Sequence, residues 1–542
     1  MPAETPSCTP AAATSHLDVQ VHAALARASA SLSPASGLLA WLDWLAHLAV
    51  SPGKQMELGR LALRQAEQLS NYPRECLLAG PGEARACLEP PAHDRRFAAP
   101  QWRQWPFNLW HQSFLLVEQW WDAAAHGIAG VEKHHEDVVA FAARQWLDIF
   151  SPGNQFATNP LVLQRTAGEG GANLVRGALK LVDDLERAAS GAQPAGTADF
   201  LVGRDLVDQG HTVFCISWKN SGVEERDLGM DDYLELGFHA ALDAVSDIVP
   251  KRKVHTAGYC LGGTLLAIAA AAMARDGANH DQRLASLTLL AAQTDFTEPG
   301  ELGLFIDESQ VSLLEAQMAE VGYLTAAQMA GAFSMLRSYD LLWSRLVGEY
   351  LLGERLPSSD LMAWNADATR MPARMHSQYL RRLFLDDDLS EGRYPVGGRP
   401  VSLADITLPI FAVGTVTEHV APWRSVHKLH HLSPAEITFV LTSGGHNAGI
   451  VSPPPGHPRR HYQILERAAG GTYMPPDDWL GLAPERQGSW WPAWQQWLAA
   501  RSGGRTQPPR IGSPAYRPGR RTWRAPSRGH AARVDAGLNI LG

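Results

Sequence analysis

The chain has 542 residues, 45% of them hydrophobic and 19% charged, with a formal net charge of −9. That length exceeds one ordinary core and calls for a main domain with additions, in a composition that builds cores rather than fibres or disorder. The mild charge, with basic residues spread out except at the C-terminus, excludes a nucleic-acid binder, and five cysteines at 8, 76, 87, 215 and 260 make neither a disulfide framework nor a zinc pattern.

Residues 1–35, rich in Ala, Ser, Thr and Pro, read as a disordered N-terminus. No signal-peptide core is visible there. The run Gly37 to Val50 contains Asp43 and His47 and is too short to span a bilayer, so a cytoplasmic, reducing location is expected. Residues 36–195 read as a helical N-terminal domain, because apolar residues recur at spacings of three and four, as in Phe114, Leu115, Val117, Trp120 and Trp121. Gly80 to Arg96 and residues 151–173 are loop-like, and a helix is expected over 173–189. The 18 tryptophans cluster at 41–44, 102–121 and 479–497. They are expected to pack helices onto a core rather than to face a partner.

Residues 196–302 change to strands alternating with helices, the signature of a largely parallel sheet. Strands are expected at His211 to Trp218, Lys253 to Tyr259 and Ser286 to Ala292, with helices at Asp231 to Val249 and Leu261 to Arg275. Residues 303–400, mostly helical to 385, interrupt the alternation as a cap insertion. The sheet resumes over 401–500, with strands at Pro409 to Gly414 and Glu436 to Leu441 and a helix at Trp423 to Leu432. Residues 501–542, rich in Arg, Gly and Pro, read as a disordered basic tail. The fold class is α/β, an α/β-hydrolase fold with a helical N-terminal region and a helical cap insertion.

The sharpest chemical signal is Gly258-Tyr259-Cys260-Leu261-Gly262-Gly263-Thr264, set between an apolar strand and an Ala-rich helix. This is the strand-turn-helix elbow that presents a nucleophile, here a cysteine. Glycines at the flanking positions are expected to let strand and helix approach, and the helix N-terminus offers the Leu261 N–H to an oxyanion. In this fold the nucleophile is followed by an acid and then a base. Glu418 follows the strand Pro409 to Gly414, and His446 follows Glu436 to Leu441, expected to be the last strand. His446 would take the proton from Cys260, and Glu418 would hold the imidazole in its useful tautomer. Asp295, after Ser286 to Ala292, is an alternative acid. His427, His430 and His431 have helical spacing, but no carboxylate or cysteine completes a metal set, so no metal is expected.

From about Asp94 to Trp497 these residues resemble the polyhydroxyalkanoate (poly-3-hydroxybutyrate) synthase family, class I-like. The strings that carry the likeness are Asp94-Arg95-Arg96-Phe97, Gly171-Ala172-Asn173-Leu174, Gln209-Gly210-His211-Thr212-Val213-Phe214 and the Cys260 elbow. In the cap they are Asp340-Leu341-Leu342-Trp343, Trp364-Asn365-Ala366-Asp367 and Met375-His376-Ser377, and near the end Gly488-Ser489-Trp490-Trp491-Pro492. The resemblance implies an acyltransferase that polymerises (R)-3-hydroxyacyl-CoA into polyester through a Cys260 thioester. It implies CoA as product, no cofactor, a homodimer, and the growing polyester chain and granule surface as partners. His446 would then deprotonate first the thiol and then the incoming hydroxyl, with Glu418 as the acid.

Two departures stand out. The family pattern has aspartate where this chain has Glu418, one methylene longer, so the backbone or imidazole must adjust. The family also carries strands and a loop ahead of Gln209-Gly210-His211. Here Phe200-Leu201-Val202-Gly203-Arg204 runs almost directly into Leu206-Val207-Asp208. That loop supplies the second oxyanion N–H in this fold. Its loss is expected to impair activity and to expose the edge of the His211 to Trp218 strand. A hydrolase acting on acyl-CoA with the same triad, and a granule-binding protein without activity, are the alternative functions.

Overall fold

The computed structural model describes residues 10–79, 85–90, 94, 96–190, 201–277, 282–336, 338, 342–355, 369–451, 460–517 and 539–541. The strings at Asp340-Leu341 and Trp364 to Asp367, and part of the Gly80 to Arg96 loop, lie outside these residues. Contacts divide the chain into two units. One comprises residues 1–31, 197–326 and 369–542, and the other residues 32–196 and 327–368. The expected cap, 303–400, is therefore shared between the two units and is not a body of its own.

The N-terminal stretch expected to be disordered contains a helix, α1 (Pro10–Ala28), which packs on the helix Glu308–Val321. Composition misleads here because alanine is the best helix former. Ala23 and Ala26 are fully buried, which is how an otherwise polar segment gains a packed face.

The helical unit is built from α2 (Pro34–Ala49), α3 (Pro52–Ala79), α4 (Phe107–Ala125) and α5 (Lys133–Phe150), with further helices after them, among them Ala172–Ser190 as expected. Trp44, Ala125, Ile128 and Val139 form one small core, and Phe97, Trp102, Phe114 and Leu115 another. The Trp44 indole donates to the Ala124 carbonyl at 2.9 Å, so its polar edge is satisfied as its ring is buried. Trp105 and Trp146 are more than half exposed, so the packing role expected of the tryptophans holds for most of them but not for all.

The sheet unit carries strands β1 (Val213–Cys215), β2 (Val254–Tyr259), β3 (Leu284–Leu290), β4 (Ile410–Thr415), β5 (Ile437–Thr442), β6 (His461–Arg467), β7 (Glu485–Gln487) and β8 (Asn539–Leu541). Six of them form one sheet in the order β7-β6-β5-β4-β3-β2. The run β2 to β5 is parallel, and β6 and β7 join antiparallel. β4 and β5 are buried at every residue, which explains why they are apolar apart from Thr415, Thr438 and Thr442. Helix α6 (Leu261–Arg275) covers one face, and its buried run Gly263 to Ala272 lets it lie close against the sheet. Trp490, Trp491, Trp494 and Trp497, from the turn and helix α7 (Trp491–Arg501), pack with Phe411 and Val413 in a second core cluster.

Three expectations about the sheet are corrected. His446 does not follow the last strand, because β6 and β7 come after it; β6, His-Tyr-Gln-Ile-Leu-Glu-Arg, is mostly polar and lacks the apolar run that marks β4 and β5. The strand expected over His211 to Trp218 is only three residues long. It pairs with β8 of the tail, the segment expected to be wholly disordered, and not with the main sheet. Among the described residues no strand pairs with the far side of β2. The open edge therefore falls on the strand that leads into Cys260. With no sheet strand before β2 in the chain, β1 has nothing to fix its register against the sheet.

Candidate active site

Cys260 sits in the one-residue turn between β2 and α6, at φ 53° and ψ −128°. A non-glycine residue with positive φ is costly, and it persists only where the surroundings hold it. Here the Cys260 amide donates to the Leu290 carbonyl of β3 at 2.9 Å. The Cys260 carbonyl accepts from Gly263 and Thr264, the first bonds of α6. The tightness of the elbow depends on Gly258 and Gly263. A Cβ at Gly258 would lie 2.5 Å from the Gly262 carbonyl oxygen, and one at Gly263 would lie 2.4 Å from the Ala292 Cβ. Gly262, expected from its flanking position to be required, faces open space. The Leu261 N–H is the first of α6 and has no acceptor within the helix, so it is available to an anion beside the sulfur.

Glu418 and His446 come together at this turn. The His446 Nδ1–H donates to Glu418 Oε2 at 2.9 Å, and the Cys260 thiol is close enough to act on the charge of the same imidazole. The Glu418 side chain is 1% exposed and that of His446 19%, so the contact is shielded from water. Glu418 is held firmly for a longer side chain. Its Oε1 accepts backbone N–H groups of His419, Val420 and Ala421 at 3.1, 2.9 and 3.2 Å, and its Oε2 also accepts the Thr415 hydroxyl at 2.7 Å. The adjustment required by the extra methylene is made by curling the carboxylate back over its own loop. The imidazole stays within reach.

The electrostatics follow from these contacts. Burial alone would raise the Glu418 pKa, but the His446 hydrogen bond and charge, with the Val420 and Thr415 bonds, hold it below its ordinary value. Burial alone would lower His446, yet its interactions with Cys260 and with the Glu418 carboxylate that accepts its Nδ1–H raise it to about 10. A thiol, an imidazole and a buried carboxylate in this order can take a proton from sulfur and hold the resulting cation. Asp295, the alternative acid, is not part of this group: it binds Thr297 and Lys428. His427 and His430 are buried away from it, stacked on each other at 4.4 Å and edge-on to Phe439 at 5.1 and 5.8 Å.

Sequence reasoning missed the residues that brace the group. Thr415 and the three amides after Glu418 carried no signal that separates them from any loop. Tyr259 and Asn447 were in view, each next to a singled-out residue, but nothing in their spacing marked them as partners of His446.

The flanking regions match known families. Residues 93–217 match the model of the poly-beta-hydroxybutyrate polymerase (PhaC) N-terminus, and residues 12–54 match a second model, poly-beta-hydroxybutyrate polymerase N terminal. Residues 188–453 match the alpha/beta hydrolase fold. The poly(3-hydroxyalkanoate) polymerase of Methylorubrum extorquens is 35% identical over 470 residues, covering 76% of each chain. The chain belongs to the poly(3-hydroxyalkanoate) polymerase family. Two further members are similar. The poly(3-hydroxyalkanoate) polymerase subunit PhaC of Rhizobium meliloti is 34% identical, covering 76% of each chain. That of Cupriavidus necator is 31% identical, covering 88% of each. The family consists of acyltransferases that polymerise hydroxyacyl-CoA on an α/β-hydrolase fold, and the hydrolytic alternative is not favoured. No described helix of this family member is long and apolar enough to cross a membrane.

Proposed function

We propose that this chain transfers (R)-3-hydroxyacyl groups from CoA to a growing polyester, with Cys260 as the nucleophile. His446 removes the thiol proton, Cys260 sulfur attacks the thioester carbonyl, and CoA leaves as its thiol after taking that proton back. The bound acyl group is again a thioester, close in energy to the substrate, so it can be passed to the hydroxyl of the next unit after His446 accepts that proton. Glu418 keeps the imidazole oriented and stabilises its charged form. The single observation that carries this reading is the Glu418–His446–Cys260 chain of contacts at a strained elbow, in a member of this family.

The rate should be low. The Leu261 N–H is one oxyanion donor, and the strand that would lead into a second is absent from the described sheet. Losing one such donor costs about 10²–10³ in rate. Family membership supports a homodimer at the granule surface. So does helix α2, where Leu38, Leu39, Leu42 and Leu45 are each more than half exposed.

The test is CoA release from (R)-3-hydroxybutyryl-CoA by the wild type and Cys260→Ala, with the product examined for polymer. The expected outcome is slow release with polymer, abolished in the variant. Release as free hydroxyacid would make the protein a hydrolase. No release from folded protein would leave only a binding role.

A further inference from the structure

The base in this site is carried on a very short helix, His446–Ile450, and the helix is pinned at both ends. At its C-terminal end the Trp490 indole donates to the Gly449 carbonyl at 3.0 Å, and the Trp491 indole to the Ile450 carbonyl at 3.1 Å. At its N-terminal end the pin is Tyr259, the residue just before Cys260. The Tyr259 hydroxyl donates to the His446 carbonyl at 3.3 Å and to the Asn447 side-chain oxygen. The Tyr259 ring lies beside the imidazole, centroids 5.1 Å apart and planes tilted by 34°.

We propose that Tyr259 is a positioning residue that sets the distance and orientation of His446 relative to Cys260. The geometry has a simple logic. A base on a separate loop can drift relative to its nucleophile, whereas Tyr259 and Cys260 share a peptide bond. A brace from Tyr259 to the His446 backbone therefore references the base to the sulfur itself, through the rigid end of β2. The ring supplies a second service, because an aromatic face beside an imidazole favours its cationic form. Burial, then the charges of Cys260 and Glu418, push the Tyr259 hydroxyl well above its usual range, so it remains a donor throughout. The charged or titratable groups around His446 are Cys260, Glu418 and Tyr259, with Arg460 on the adjoining Ser443 carbonyl. Of these, Tyr259 is the one that donates to the His446 carbonyl: the Glu418 carboxylate accepts from the imidazole and Arg460 donates to the Ser443 carbonyl.

This inference rests on the reading of Cys260 and His446 as nucleophile and base, and the experiment separates the two. Tyr259→Phe keeps the ring and removes the hydroxyl. Two quantities are measured from about pH 6 to pH 10. One is steady-state CoA release from (R)-3-hydroxybutyryl-CoA. The other is the rate of iodoacetamide alkylation at Cys260, followed on its own peptide by mass spectrometry. Alkylation needs no turnover and reports the coupling of thiol to base directly. The expected result is about a tenfold loss in kcat and in alkylation rate near pH 7, the size of one hydrogen bond, with KM within about twofold. The alkylation gap should close toward pH 10, where thiols ionise without help. If the wild type releases no CoA but Tyr259→Phe still slows alkylation in this pH-dependent way, the positioning role stands and the proposed activity falls. Alkylation equal to wild type at every pH would overturn the positioning role. So would a loss that is the same at all pH values and accompanied by a lower melting temperature, since that is what a purely structural tyrosine gives. Tyr259→Leu, which removes ring and hydroxyl, should be slower again than Tyr259→Phe; a match between the two would remove the ring from the proposal.

Discussion

Glu418 shows how one side chain can be reassigned by its surroundings. Its carboxylate accepts five hydrogen bonds, three from consecutive backbone amides. A neutral amide in the same place would present an NH2 to one of those donors or to His446. Glu418→Gln should therefore leave the fold intact while lowering kcat by up to about 10⁴, the loss when a triad acid becomes an amide. The measurement is CoA release together with a melting curve. Activity within about twofold of wild type would mean that Glu418 is a loop anchor and not the acid. The position of this residue was legible from the order nucleophile, acid, base along the chain. Its mode of anchoring was not, because a nest of backbone N–H groups is a property of loop dihedrals and leaves no residue-type signature.

At the scale of elements, the elbow separates two glycines that look alike in sequence. A methyl group at Gly258 meets backbone atoms of Gly262 and Gly263 at 2.5 and 2.6 Å, and backbone cannot step aside as a flexible side chain can. Gly258→Ala should cost about 1–3 kcal/mol, as overpacking does, and should displace Cys260. Gly262→Ala meets nothing within 4 Å and should stay within about 0.5 kcal/mol of wild type in a urea titration. Equal losses in the two variants would sink this account. The elbow, β2 to β5 and α6 were all readable, because apolar runs bounded by turns and an alanine-rich helix are local patterns. The strand-like run at His211 to Trp218 was misplaced for the opposite reason. Val213, Phe214 and Ile216 have strand propensity, but a strand joins a sheet only if a neighbour is there to fix its register, and that neighbour is not encoded in the run itself.

For the molecule as a whole, acid should be a specific weakness. His427 is fully buried and His430 nearly so, and among the described residues neither ring has a hydrogen-bond partner on either nitrogen. Burial, then the charge of Arg467, lowers His427 to about 4. Burial, then His427 and Arg467, lowers His430 to about 3. In the unfolded chain the same rings take up protons near pH 6.5. Between about 6.5 and 4 the unfolded state thus binds more protons than the folded one. The stability contributed by these neutral rings is complete above 6.5 and is lost as pH falls through that window, by roughly 1.4 kcal/mol per pH unit for each ring. His430→Phe should flatten the dependence of the urea midpoint on pH over this range. Parallel slopes in the variant and wild type would refute it. The helical spacing of these histidines was visible in the sequence, but that they stack inside the core depends on β5 and Phe439, which arrive from farther along the chain.

The sheet ends, among the described residues, at β2. A strand bonded on one side offers its free amides and carbonyls to any other extended chain, including the same strand in a second copy. Natural proteins blunt such rims with charge or proline, yet β2 reads Val-His-Thr-Ala-Gly-Tyr, with neither. The strand that aims the sulfur is thus also the rim of the sheet, so a change made there to blunt the rim would act on the nucleophile as well.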